Sequence, residues 1–182
     1  MGYGRITMRN VILLICTIVI FIIFNYAVYE KQQILSDGDI VLLKISPMDP
    51  RSIMQGDYIA FQYAIEEEME NEVKNPQMRG YAVIKPGPDR VAHFVRIYQG
   101  EALADDEKII KYQYNSELSH RYVIRPSSFI FQEGLGPLYQ KAEYAIFHYR
   151  GSQHYLLVGM ADKNKVEIEN DNEKTELNSN AE

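Results

Sequence analysis

At 182 residues, 46% hydrophobic, the chain is long enough for one hydrophobic core and short for two. Seven acids against three lysines in residues 162–182 supply −4 of the net charge of −6, so only −2 remains for everything before them and a basic nucleic-acid-binding face is excluded. A single cysteine, Cys16, excludes any intramolecular disulfide.

The first predicted element is a helix over residues 11–29. Val11 to Phe24 is interrupted only by Cys16 and Thr17, and the run continues through Asn25 to Tyr29. Nineteen residues make a rod of about 28 Å, close to the hydrocarbon thickness of a bilayer. A cleaved secretory signal has a shorter apolar core and small residues at its end. Here the run leaves through Asn25-Tyr26-Ala27-Val28-Tyr29, whose tyrosines suit a membrane interface, so a retained anchor is expected. Arg5 and Arg9 precede the helix, while Glu30 and Lys31 cancel after it, which predicts a cytoplasmic amino terminus and an extracytoplasmic carboxyl-side domain. The expected organisation is a cytoplasmic 1–10, a transmembrane 11–29, a β domain over 30–161 and a disordered acidic tail over 162–182, too polar to order itself.

Strand signals fill the domain. Asp39 to Ile45 is a near-continuous apolar run between Gly38 and Pro47 and reads as a buried strand. In Tyr58 to Ile65, alternation places Ile59, Phe61, Tyr63 and Ile65 toward the core. Glu66 to Asn75 is acidic and weakly helical, and predicts an exposed excursion ended by Pro76. Tyr81–Lys85 and Val91–Tyr98 flank Pro86-Gly87-Pro88-Asp89 as a hairpin. Lys108–Tyr114, Arg121–Arg125 and Ser128–Phe131 follow as strands. A short helix is expected from Pro137 to about Ala142. Tyr144–Tyr149 and His154–Gly159 form a last hairpin turning at Arg150-Gly151-Ser152. About eight strands and one short helix predict a mainly-β antiparallel domain, a small barrel or sandwich, behind a single amino-terminal transmembrane helix.

Gly56-Asp57-Tyr58-Ile59-Ala60-Phe61-Gln62-Tyr63 resembles the motif of the GDYXXLXY family, with Phe61 at the position of the leucine. Asp49-Pro50-Arg51 before it and Phe131-Gln132-Glu133-Gly134, Tyr139, Ala142 and Tyr144 after it extend the likeness over roughly residues 10–161. The resemblance implies a membrane-anchored bacterial protein with no assigned activity, of a kind often encoded near multispanning membrane proteins. On physical grounds Gly56 supplies a turn, Asp57 accepts backbone hydrogen bonds there, and Tyr58 and Tyr63, five residues apart, fall on opposite faces of the strand. Glu133 before Gly134 is placed to cap the short helix. The candidate motif and binding residues are therefore Gly56, Asp57, Tyr58, Phe61, Tyr63, Arg96, Glu133 and Gly134.

Three activities compete. The first is a noncatalytic accessory domain that binds an integral membrane protein. The second is an envelope hydrolase with the layout of type I signal peptidases, which the chain resembles more weakly; it would use Ser46 or Ser52 with Lys85 as the neutral base. Its expected Ser-Met-X-Pro order is absent, and the later strand carries Arg96, which cannot deprotonate. The third is a small-ligand site at a tyrosine-lined barrel mouth, oriented by Arg96 or Asp57. No cofactor or metal is expected: His93, His120, His148 and His154 are scattered, and Glu66 to Glu68, Asp105 and Asp106 read as solvated charge.

Overall fold

The computed structural model describes residues 8–47, 58–116 and 121–168. The element order begins with a helix α1 (Met8–Asp37) and strands β1 (Asp39–Pro47) and β2 (Tyr58–Tyr63). A second helix α2 (Ala64–Glu72) leads to β3 (Arg79–Pro86), β4 (Ala92–Ile97), β5 (Lys108–Asn115), β6 (Arg121–Ile124) and β7 (Ser128–Ile130). A one-turn helix α3 (Gly136–Tyr139) precedes β8 (Tyr144–Arg150) and β9 (His154–Ala161). The strands form two antiparallel sheets, one ordered β7-β2-β1-β8-β9 and the other β4-β3-β5-β6. Both contribute side chains to one core, including Leu43, Phe61 and Phe147 from the first and Ile84, Ile110 and Tyr122 from the second. A parallel bridge between Leu42 and Val91 ties the two sheets together.

The unbroken apolar run of β1 has a direct cause. The strand lies inside its sheet, between β2 and β8, with one face in the main core and Leu42 buried on the other, where its neighbours Ile40 and Lys44 stay exposed. Val41, Leu43 and Ile45 enter the main core, while Leu42 joins a second cluster with Val91, Ile146 and Ala161. In β2 the alternation is as expected, with Ile59, Phe61 and Tyr63 buried and Tyr58 exposed. Ile65 is also buried, but from the first turn of α2 rather than from the strand.

Helix α2 corrects the expected exposed excursion. Ile65 and Met69, one helical turn apart, both point into the core. Its Glu68 accepts a hydrogen bond from the Phe94 amide at 2.8 Å, so α2 covers the outer edge of β4. The acidic stretch from Asp162 also begins with ordered chain. Asp162 Oδ1 accepts from the amides of Asn164 and Val166, Ala161 bridges to Glu167, and Ile168 donates its amide to Met160. Average composition over 21 residues conceals this local Asx turn and Ile168, which packs against the core behind it.

Helix α1 continues eight residues past the apolar run. Its last turns lie on β8 and β9: Ile34 is buried, and His148 Nδ1 donates to the Leu35 carbonyl at 3.1 Å, capping one of the helix's unpaired carbonyls. The approach is close at Gly38, where a Cβ would lie 2.4 Å from the Ile34 carbonyl oxygen and 2.9 Å from His148 Cβ. Gly38→Ala is therefore expected to lower stability by about 1–2 kcal/mol, read as a reduced thermal midpoint of the full-length protein in detergent.

Candidate functional site

Gly56 and Asp57, like Asp49-Pro50-Arg51, Ser52 and His120, lie outside the described residues. The rest of the motif is a core strand. Phe61 and Tyr63 are each 1% exposed and meet edge to face at 5.3 Å. Tyr63 also packs on Phe147 and donates its hydroxyl hydrogen to the Pro126 carbonyl. Burial pushes its phenol well above the ordinary value, so it stays protonated and acts as a donor tying β2 to the entry of β7. Tyr58, on the outer face, sits in register with Ile130.

Arg96 is committed to structure. Its guanidinium gives two hydrogen bonds to the two carboxylate oxygens of Glu107 and a third, from Nε, to Glu101 at 2.8 Å. Glu101 in turn accepts from the Gln99 amide, and Glu107 from the Ala104 amide. One guanidinium thus folds the connection between β4 and β5, and holds the Glu107 carboxyl down to about 2. Glu133 and Gly134 are exposed in the turn before α3. Gly134 has φ +88°, a conformation that favours glycine. The N-cap residue of α3 is Leu135, with no side-chain capping bond, and Glu133 stands two residues before it. Tyr63, Arg96 and Glu133 occupy separate places: a polar cleft beside α2, a groove where α2 ends against β4, and the turn before α3.

The polar cleft, of about 310 Å³, is lined by Ser46, Gln62, Tyr63, Glu66, Glu67, Glu70 and Arg121. At its base is Glu66, only 6% exposed, which corrects its reading as solvated charge. It is the third residue of α2, close enough to the Tyr63 amide for that amide to favour its charged form. It accepts from the Ile124 amide of β6 at 2.7 Å. Desolvation raises its pKa to about 7, with Glu70 adding to the rise, against the lowering by the two amides and Arg121. A carboxyl poised near neutrality in a cleft can hold or release a proton at ordinary pH.

A second cleft, of about 450 Å³, is aromatic. Phe129, Phe131, Leu135, Tyr139, Val158 and Ile168 form its apolar walls, with Gln132 and Glu167 as polar groups. Phe131 and Tyr139 stack at 4.7 Å. These walls come from β7, α3, β9 and the segment after it, so chain-order reading had no means to join them. The arrangement suits a flat apolar group.

Of the serine–lysine candidates, Ser52 lies outside the described residues and Ser46 lines the polar cleft. Lys85 is exposed, bonded to Asp106 at 2.7 Å, and raised in pKa by that partner, the reverse of what a neutral base needs. Among the described residues, no three His, Cys, Asp or Glu side chains converge as a metal site would require.

The model of the family described as GDYXXLXY protein matches residues 20–160. Neither a curated protein nor a solved structure matches the chain. The match spans the helix end, the motif strand, both sheets and the polar cleft, and on that extent the chain belongs to the GDYXXLXY family.

Proposed function

We propose that the protein is a single-pass accessory domain of the bacterial cytoplasmic membrane, with its amino terminus in the cytoplasm and its β domain outside, and that it binds a multispanning membrane protein. The observation that carries this reading is α1. From Asn10 to Asp37 it is long and apolar enough to cross a bilayer, and none of its apolar window is covered by the domain. Phe21 and Phe24 are both 66% exposed, a surface that water does not tolerate at this length. Thr17 and Asn25 return their polar hydrogens to the carbonyls of Leu13 and Phe21, as polar side chains in a lipid-facing helix must.

Two measurements test it. Alkaline carbonate should leave the full-length protein in the membrane pellet, and gentle detergent should release it together with a multispanning protein. Release by carbonate refutes the anchor, and elution alone at every detergent concentration refutes the partner. The aromatic cleft supports a second reading, a small apolar ligand held against Phe131 and Tyr139. Under that reading Tyr139→Ala abolishes uptake of an environment-sensitive hydrophobic dye and Arg96→Lys leaves it intact. The hydrolase alternative has the least support, since Lys85 is held charged.

A further inference from the structure

We infer that the β8–β9 hairpin tip, Arg150 to Gln153, rests on the phospholipid headgroups of the bilayer that α1 enters, so that the domain is docked on the membrane and not suspended above it. This rests on the anchor proposed above. The apolar run ends at Tyr29, and the next residue, Glu30, already touches the domain, its Oε1 lying 3.8 Å from His154 Nε2. Five residues later, His148 donates to the Leu35 carbonyl. Between those contacts the helix descends about 7.5 Å toward the apolar rod. On the sheet, the step from His148 to the Arg150–His154 pair is about 7 Å in the same sense. Helix and hairpin thus run side by side at matching rates, and the tip beyond Arg150 falls at the level of Tyr29 and Tyr26, the tyrosines suited to the interface.

The tip is also held firmly. Lys108, nearly buried, donates to the Gly151 carbonyl at 2.9 Å and to Asp39 at 2.7 Å. The Ile109 amide donates to the Ser152 carbonyl at 2.8 Å. These bonds fasten the tip to both sheets, so it is presented and not loose. Its chemistry suits a headgroup layer: Gly151 and Gln153 are exposed, and Arg150 and, on the adjoining turn of α1, Lys31 are exposed and form no ion pair among the described residues. Arg150 is the group placed to meet lipid phosphate. The polar cleft around Glu66 lies at the other end of β1, where Ile45 pairs with Tyr63. Docking therefore turns that cleft away from the bilayer.

The test uses the full-length chain in vesicles of zwitterionic and anionic phospholipid doped with a headgroup-borne paramagnetic quencher. In a Cys16→Ser background, one label is placed by Ser152→Cys and another by Glu67→Cys, on the exposed rim of the polar cleft. Quenching should be severalfold stronger at position 152 than at position 67, and adding Arg150→Glu should reduce it. Equal quenching at the two positions, in protein that resists carbonate, overturns the docking and leaves the anchor standing. Protein stripped by carbonate overturns both. Quenching at position 152 that is unchanged by Arg150→Glu overturns the contact between Arg150 and phosphate.

Discussion

Phe61→Ala is expected to cost about 3–5 kcal/mol. Phe61 is 1% exposed, meets Tyr63 edge to face, and lies in the core that both sheets share. Truncation removes the ring's burial and leaves a cavity among residues held by two sheets, which cannot collapse freely. Phe61→Leu restores the family's motif residue and should cost distinctly less, because a branched apolar side chain still fills most of the volume. Denaturant unfolding of the detergent-solubilised full-length protein measures both. If the alanine variant is as stable as the leucine variant, this position does not serve the core.

Glu66→Ala should cost about 2–3 kcal/mol, since it orphans the buried Ile124 amide. The more diagnostic variant is Glu66→Gln, which keeps an acceptor and discards the titration. In the folded protein the carboxyl holds its proton until about pH 7, whereas its ordinary value is 4.5. Between those values the folded state binds more protons than the unfolded one, so stability falls as pH rises. The stabilisation tied to that proton is complete below pH 4.5 and is lost as pH rises through 7; at about 1.4 kcal/mol per pKa unit it amounts to at most about 3.5 kcal/mol. Wild type should therefore lose stability from pH 5 to pH 8 relative to Glu66→Gln. Parallel pH profiles for the two proteins would show that Glu66 is not the titrating group.

The candidate residues were legible to unequal degrees. Tyr58 and Tyr63 fall on opposite faces as their spacing requires, because period-two alternation is a property of the local chain. Arg96 was singled out as a ligand-orienting cation, yet Glu101 and Glu107 occupy its donors. Those partners are five and eleven residues away, and only the folding of the β4–β5 connection brings them round. Glu66 was missed for a related reason. Within Ile65-Glu66-Glu67-Glu68 nothing distinguishes one acid from its neighbours, and the residue that buries it, Ile124, is 58 positions on. Its only local sign is its place as third residue of a helix whose core side is marked by Ile65 and Met69.

By itself, the sequence determined the apolar helix, the strand positions, the antiparallel β class and the family motif, because each is written in short-range periodicity, turn chemistry or a contiguous run. Only the tertiary structure decided that β1 buries Leu42 in a second cluster behind its core face, that α2 belongs to the core, that Glu66 is buried while Lys85 stays exposed, and that the Phe131–Tyr139 stack lines a cleft. It also decided how α1 meets the domain, through Ile34, Gly38 and His148. Those outcomes depend on contacts between residues far apart in the chain, where desolvation and close packing, and not local propensity, set the energy.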